Sequence, residues 1–147
     1  MKISIASDHG GFEQKEPLKT FLSQEGHEVI DRGPATDERV DYPDFAALVA
    51  HDVVQKVADV GVLICGTGIG MAISANKLVG IRAANVTTPD FAELSREHND
   101  ANVICLSGRF TDLATNKAIL GVFLHTKFGE GRHVARVQKI GALEQSR

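Results

Sequence analysis

Residues 60–77 read VGVLICGTGIGMAISANK. The stretch opens with an apolar run of strand length, of the kind that is buried on both faces of a parallel sheet. Three glycines follow within five residues, before a segment that is compatible with a helix. The pattern predicts a strand, a tight loop and a helix N-terminus, with the thiol of Cys65 at the carboxyl end of the strand.

The position of Cys65 predicts a functional site. Ligands of open α/β sheets collect at the carboxyl ends of strands, and loop N–H groups and a helix N-terminus favour negative charge there. Such surroundings favour a thiolate that acts as a base or a nucleophile. The alternative is an inert cysteine that packs as a small hydrophobic residue. We favour that alternative for Cys105, which lies inside a later strand.

The remaining periodicity predicts the fold class. Strands are expected at residues 2–7, 28–31, 60–65, 81–86 and 103–106, and helices at residues 12–24, 42–57, 71–78, 89–96, 112–124 and 132–145. Pro17 allows an irregular first turn or a late start of the first helix. Strands that alternate with helices predict an α/β fold, in which a five-stranded parallel sheet is covered on both faces and joined by right-handed crossovers.

The last predicted helix is not required by this architecture. It follows a Gly129-Glu130-Gly131 hinge, and we expect it to contact a partner subunit. Arg132 and Arg136 stand at i and i+4 of this helix and share one face. Such a pair can bind a phosphate through charge-assisted hydrogen bonds, although an exposed basic face is the commoner explanation.

Length and composition limit the possible classes of protein. A chain of 147 residues suits a single domain over residues 1–147. The net charge of −3 argues against a nucleic-acid partner. Two cysteines forty positions apart fit neither a disulfide framework nor a zinc finger. The N-terminus is too polar for a signal peptide, and no run reaches membrane-spanning length. We therefore expect a cytoplasmic protein without a metal site.

Three familiar glycine-loop motifs do not fit. A dinucleotide fingerprint requires a third glycine where Met71 stands, and a phosphate loop of nucleotide hydrolases requires Lys and Ser or Thr after Gly70. A hydrolase nucleophile elbow requires its nucleophile between glycines, whereas Cys65 precedes the first of them. What remains is a thiol beside backbone donors, which suit an oxyanion that forms during the reaction. This chemistry is proton abstraction next to a carbonyl, and it requires no redox cofactor.

Other polar side chains flank the predicted strands. Asp8 and His9 end the first strand, His98 and Asn99 precede the fifth, and Arg109 follows it. We expect all five at the same edge of the sheet as the loop thiol. The structural alternatives are a helix cap for Asp8 and a solvated turn residue for His98.

Several motifs occur in one order along nearly the whole chain. They are Asp8-His9-Gly10-Gly11, Asp41-Tyr42-Pro43, Cys65-Gly66-Thr67-Gly68-Ile69-Gly70 with Ala75-Asn76-Lys77, His98-Asn99-Asp100, and Gly131-Arg132-His133. Together they resemble the ribose-5-phosphate isomerase B family, which includes the allose-6-phosphate and galactose-6-phosphate isomerases. The resemblance implies a Rossmann-like three-layer fold without a cofactor. It also implies a homodimer or a dimer of dimers, with active sites shared across the subunit interface.

The resemblance further implies a role for each candidate residue. Cys65 is the base that moves a proton between C2 and C1, and Thr67 shuttles protons between the substrate oxygens. The anion hole is formed by the amides of Gly66, Gly68, Ile69 and Gly70. Asp8 and His98 act on the sugar ring, which His98 helps to open, and Asn99 lies beside the substrate. The phosphate is bound by His9, Arg109, Arg132, His133 and Arg136, some of them from the partner subunit.

Relatives without the loop cysteine use a carboxylate a few positions later. Here Met71-Ala72-Ile73 contains no acid, so Cys65 has no rival as the base. The expected function is the interconversion of D-ribose 5-phosphate and D-ribulose 5-phosphate through an enediolate, in the pentose phosphate pathway. The nearest alternative is an allose-6-phosphate or galactose-6-phosphate isomerase. A small cysteine-nucleophile hydrolase and a non-catalytic flavodoxin-like binding module are the alternatives from other classes.

Overall fold

Strands and helices alternate throughout residues 1–146, the part of the chain that the computed structural model describes. The strands are β1 Lys2–Ser7, β2 Glu28–Asp31, β3 Val60–Cys65, β4 Ala83–Asn85 and β5 Val103–Ser107. The helices are α1 Phe12–Gln24, α2 Tyr42–Val54, α3 Ile69–Ala75, α4 Pro89–Asn99, α5 Leu113–His125 and α6 Arg132–Leu143. A 3₁₀ turn, Glu144–Ser146, follows α6.

The strands form one parallel sheet in the order β2-β1-β3-β5-β4. Helices α1, α4 and α5 pack on one face of the sheet, and α2 and α3 pack on the other. The expected fold class, a Rossmann-like three-layer sandwich with a five-stranded parallel sheet, is confirmed. None of the helices within residues 1–146 is long and apolar enough to cross a membrane.

The centre of the sheet explains the apolar run of β3. Val62 and Ile64 point into the core beneath α1 and α5, whereas Leu63 points into the core beneath α2 and α3. All three side chains are fully buried. A strand that is covered on both faces requires apolar side chains at successive positions, and burial of each stabilises the fold by about 1.5–3 kcal/mol.

The strand order places a crevice between β1 and β3. The chain leaves β1 through α1 to reach β2 on one side, and it returns through α2 to β3 on the other side. The connections after β1 and β3 therefore diverge at the carboxyl ends of these neighbouring strands. Such a switch point is the usual ligand position in open α/β sheets.

The bounds of β1, β2, β3 and α1 agree with the sequence prediction, and Pro17 lies inside α1 without delaying its start at Phe12. Helix α2 ends at Val54, three residues before the expected end. Lys56 has a left-handed φ of 60°, and the N–H groups of Val57 and Ala58 both donate to the carbonyl of Asp52. These hydrogen bonds close the C-terminus of the helix.

The segment from α3 to β4 differs most from the prediction. Helix α3 begins at Ile69, two residues earlier than expected, because Gly68 turns the chain with a φ of 84°. It ends at Ala75, before Asn76, whose side-chain amide exchanges two hydrogen bonds with the backbone of Ala83. Strand β4 is correspondingly short, and it pairs only with β5 within the described residues.

The polar turn expected at residues 97–100 is wrong. Helix α4 continues to Asn99, and Asp100 ends it with a left-handed φ of 47°. Thr88 caps its N-terminus as expected, since Thr88 Oγ1 accepts the N–H of Phe91. Smaller differences are that β5 extends to Ser107, α5 spans Leu113–His125 behind an Asp112 cap, and α6 ends at Leu143.

Candidate active site

Three loops meet at the carboxyl edge of the sheet, those after β1, β3 and β5. Gly108 N–H donates to the carbonyl of Cys65 at 2.8 Å, which ties the β5 loop to the end of β3. A Cβ on Gly11 would collide with the carbonyl oxygen of Ile64. Only glycine permits the β1 loop to approach β3 so closely, and this approach places the polar residues of both loops side by side.

Cys65 lies at the end of β3 and is 4% exposed. Its Sγ accepts the N–H of Gly68 at 3.1 Å. Gly68 has a left-handed φ of 84°, with which the chain turns from this contact into α3. The structure thus directs one backbone N–H at the sulfur, and the role of Cys65 as a base stays a prediction.

Thr67 stands at the exposed tip of the same loop. Its Oγ1 accepts the N–H of Ile69 at 3.1 Å. The hydroxyl hydrogen is then available for a ligand, because the oxygen acts as the acceptor in this contact. The loop is fixed from behind by Ser107 Oγ, which donates to the carbonyl of Gly66 at 2.7 Å.

Asp8 and His9 lie in the loop after β1. This loop runs beside residues 65–70, which we call the thiol loop. Asp8 is buried, and its Oδ1 accepts the N–H groups of Gly10 at 2.8 Å and Gly11 at 3.2 Å. Asp8 Oδ2 has no hydrogen-bond partner within residues 1–146. His9 Nδ1 accepts the N–H of Val40 at 3.4 Å. Asp8 thus caps its own loop, and it keeps one carboxylate oxygen for other partners.

Arg109 brings positive charge to this edge of the sheet. Its N–H donates to the carbonyl of Gly66 at 3.2 Å. Its guanidinium lies over the thiol loop, since a Cβ on Gly66 would be 3.3 Å from Arg109 Nη1. The guanidinium is exposed and can bind an anion beside the loop amides.

Two further side chains support the loop, and the sequence analysis assigned no role to either. The ring of Tyr42 covers Gly70, where an added Cβ would lie 2.7 Å from Cε2 of the ring. Asn85 lies directly behind Gly68, and with Thr67 it lines a groove of about 480 Å³. Asp41-Tyr42-Pro43 was part of the resemblance, but only the packed structure shows which loop residue Tyr42 meets.

His98 and Asn99 do not lie at this edge, so the expectation of one common edge is wrong for them. They occupy the last turn of α4, which starts after the carboxyl end of β4 and runs back to the amino end of β5. Ser107, at the other end of β5, is the register partner of Cys65. A five-residue strand separates its two ends by roughly 13 Å.

The N-terminal turn of α6 joins His98 at this opposite edge. The rings of His98 and His133 are stacked, with centroids 4.4 Å apart and an angle of 15° between the planes. Arg132 and Arg136 flank His133 and are exposed. One chain therefore carries two separate clusters of candidate residues. The Cys65 cluster lies at the carboxyl edge of the sheet, and the histidine–arginine cluster lies at the amino edge.

The second cysteine has different surroundings. Cys105 is fully buried in β5, and burial, with a smaller effect of Cys65, raises the pKa of its thiol far above the ordinary value. Cys105 is therefore a protonated core residue, as expected. No cluster of three or more His, Cys, Asp or Glu side chains within residues 1–146 could hold a metal ion.

Comparison with known proteins identifies the family. The family model described as Ribose/Galactose Isomerase matches residues 3–140. The chain belongs to this family. It is 44% identical to ribose-5-phosphate isomerase B of Escherichia coli over 99% of this chain and 98% of that protein. The resemblance drawn from the motifs is confirmed.

Solved structures of this family share the fold. Ribose-5-phosphate isomerase B of Clostridium thermocellum has a TM-score of 0.98 and 48% identity, and the match covers 99% of both chains. The enzyme of Mycoplasma genitalium, solved with bound ribulose-5-phosphate, has a TM-score of 0.95 and 43% identity over 99% of this chain and 97% of that chain.

Proposed function

We propose that this chain is a cofactor-free aldose–ketose isomerase that interconverts D-ribose 5-phosphate and D-ribulose 5-phosphate, a step of the pentose phosphate pathway. The observation that carries the proposal is the thiol of Cys65, which accepts the N–H of Gly68 in the crevice between β1 and β3. Its relatives support the same substrate, since one family structure contains ribulose-5-phosphate. Allose-6-phosphate or galactose-6-phosphate isomerisation remains the alternative.

Enolisation takes place at the thiol loop. The Cys65 thiolate removes the proton from C2 of the open-chain aldose, and the electron pair forms the C1–C2 double bond as the C1 carbonyl becomes an enediolate oxygen. The amides of Gly66, Gly68, Ile69 and Gly70 bind this oxygen. The thiol returns its proton to C1. The Thr67 hydroxyl gives a proton to O1 and takes one from O2, which completes the ketose.

Ring opening and phosphate binding use the remaining residues. His98 exchanges protons with the ring oxygen and the C1 hydroxyl of the furanose, a task suited to an imidazole near neutral pH. Asp8 binds the sugar through Oδ2, the carboxylate oxygen that is not used in the loop. Asn99 lies beside the substrate. The dianionic phosphate is bound by His9, Arg109, Arg132 and Arg136.

The division of these residues between two edges of the sheet supports a shared site. In a homodimer with two-fold symmetry, the Cys65 cluster of one chain meets the histidine–arginine cluster of the other. Exposed apolar side chains favour such an assembly. Ile73 and Val79 are each 59% exposed near α3, and Leu143 at the end of α6 is 69% exposed. We propose a homodimer or a dimer of dimers in which α6 contacts the partner.

The whole chain then acts as one sugar-phosphate isomerase domain in the cytoplasm. Cys65 and Cys105 are both free thiols, which suits a reducing compartment. The substrate is a small phosphosugar, and neither nucleic acid nor membrane takes part.

The proposal is tested by assaying the purified protein against ribose 5-phosphate, allose 6-phosphate and galactose 6-phosphate. We expect the highest kcat/KM for ribose 5-phosphate, and the same rate after treatment with EDTA. Protein carrying Cys65→Ala and purified in the same way controls for contaminating isomerases. A preference for a six-carbon substrate would support the alternative, and no turnover of any of the three would refute the isomerase proposal.

A further inference from the structure

The C-terminal turn of α4 contacts the segment that precedes α6, at the amino edge of the sheet. Gly129 N–H donates to the carbonyl of Glu97 at 2.9 Å, immediately before α6 begins. A Cβ on Gly129 would lie 3.0 Å from Cγ of Glu97, so the two segments are in close contact. This contact sets the rings of His98 and His133 face to face at 4.4 Å.

His133 differs from the other residues of α6 in the solvent exposure of its side chain. Among the described residues of α6, His133 alone is buried, with 8% of its surface exposed. Arg132 and Arg136 are exposed to solvent on the same helix. A ring that is covered by its own chain offers little surface to a phosphate, whereas the two guanidinium groups remain free to bind one.

We propose that His133 is a positioning residue, which holds the imidazole of His98 in the orientation needed for sugar-ring opening and does not bind the phosphate. The proposal rests on the proposed isomerase function. A histidine at a helix end can adopt several rotamers, and a stacked neighbour restricts them. Proton transfer requires heavy-atom distances of about 2.6–3.2 Å, so the orientation of the ring decides whether the transfer takes place.

Burial and the charges around the stacked rings affect the pKa of His133. Burial, and then the positive charges of His98, Arg132 and Arg136, lower the pKa of His133 below its ordinary value, against a smaller opposite effect of Glu97. The lowered pKa favours the neutral form of His133, and a neutral ring can lie against His98 without charge repulsion.

Two variants of similar side-chain volume test the proposal. His133→Phe keeps a flat ring that can stack but can bind neither a proton nor a phosphate. His133→Leu fills the same space without a flat ring. We expect His133→Leu to lower kcat for ribose 5-phosphate about tenfold, because a misplaced catalytic group costs rate. We expect His133→Phe to recover most of that loss. Neither variant should change KM for ribulose 5-phosphate.

A spectroscopic readout tests the position of His98 independently of activity. The ring hydrogens of His98 should be shifted upfield by the stacked ring in wild type and in His133→Phe, but not in His133→Leu, as measured by proton–carbon NMR. Wild-type turnover tests the isomerase function, and the NMR shift tests the positioning role. Circular dichroism identifies any variant that does not fold, and His133→Gln or His133→Tyr then replaces it.

Two results would overturn the proposal. If His133→Phe and His133→Leu both raise KM for aldose and ketose to the same extent, His133 is a phosphate ligand. If both variants keep wild-type kcat, and the His98 ring hydrogens do not move, His133 only fills space. Arg136→Ala is the matched control for phosphate binding, and it should raise KM for both substrates.

Discussion

The two cysteines show how strongly the position of one residue decides its chemistry. They lie on neighbouring strands, and Cys105 is the register partner of Leu63, two residues before Cys65. Cys105 is surrounded by apolar side chains, which favour its neutral form. Cys65 receives the N–H of Gly68 at the strand end. The same functional group is therefore a protonated core residue in one place and, as we propose, the catalytic base in the other.

Replacement of each cysteine by alanine tests this difference. Cys65→Ala should lower kcat at least about 100-fold, because it removes the group that takes the C2 proton. Ligand-binding calorimetry with inorganic phosphate should show unchanged affinity. Cys105→Ala is the matched control, and it should keep its activity while losing on the order of 1 kcal/mol of unfolding free energy. Near-normal turnover by Cys65→Ala would refute its role as the base.

A second residue-level prediction separates ring opening from enolisation. The furanose must open before the proton beside the carbonyl becomes acidic, whereas ribulose 5-phosphate cannot close a comparable ring and binds in the open form. His98→Asn should therefore lose most net isomerisation and still exchange solvent deuterium into C1 of ribulose 5-phosphate. Cys65→Ala should lose both activities. Proton NMR of the ketose after incubation in heavy water measures the exchange.

The contrary result would assign His98 to the enolisation step. Exchange would then vanish in His98→Asn as completely as in Cys65→Ala, while calorimetry showed that the ketose still bound. This comparison requires that both variants keep the wild-type circular dichroism spectrum.

At the scale of elements, the start of α3 fixes the geometry of the thiol loop. Gly68 has a φ of 84°, which L side chains rarely adopt, and a Cβ there would collide with Asn85 Oδ1. We expect Gly68→Ala to displace the N–H that meets Cys65 and to lower kcat by about 10–1,000-fold. Single-turnover kinetics would show that the chemical step is affected.

Gly121→Ala is the control for this substitution. Gly121 lies inside α5, where a Cβ would meet no atom within 4 Å other than the backbone of its own helix. Alanine there should raise the unfolding free energy by about 0.5–1 kcal/mol, because glycine is a poor helix residue, and activity should not change. Urea denaturation measures the gain. If Gly68→Ala behaved as Gly121→Ala does, the loop would not depend on that conformation.

The elements also show how much of the fold could be predicted from sequence. Strand β3 was predictable because its apolar run and its glycine stop are both local signals. The end of α2 was not, because it depends on the left-handed backbone of Lys56 and on two N–H groups that return to Asp52. Helix α4 continues through His98 because Asp100, not the polar sequence before it, ends the helix.

Half of the candidate site, the part at the carboxyl edge of the sheet, could be predicted from the sequence. Cys65 is the last residue of a strand, and Asp8 and Arg109 come shortly after strands, so their common edge could be inferred from the parallel fold. His98 precedes a strand, and α4 returns it to the opposite edge. The stack of His98 on His133 joins elements that are separated by a helix and a strand, and no local pattern indicates which ring packs against which.

At the scale of the whole molecule, the two edges predict complementation between inactive variants. Cys65→Ala and His98→Asn protein, mixed and allowed to exchange subunits, should form heterodimers in which one site has both wild-type groups. With random exchange we expect about a quarter of wild-type activity, because half of the dimers are mixed and each has one intact site of two. The isomerase rate before and after mixing measures the recovery.

The matched control uses two variants from the same edge. In a mixture of Cys65→Ala with Asp8→Asn, each site of the mixed dimer lacks one of the two groups, so no activity should appear beyond that of the separate variants. Recovery in this control, or none in the first mixture, would show that a single chain supplies the whole site.

The thiol loop has a consequence for the response of the enzyme to acid and base. Its charge-stabilising groups are main-chain amides, which neither gain nor lose a proton while the protein is folded. No ordinary side-chain replacement deletes such a donor, and only proline removes the hydrogen itself. In the proposed mechanism, the loop therefore stabilises the enediolate to the same extent over the whole pH range in which the fold persists. We then expect any change of rate with pH to originate in the titrating groups around the loop, which are the thiol, the Asp8 carboxylate, the imidazoles and the substrate phosphate.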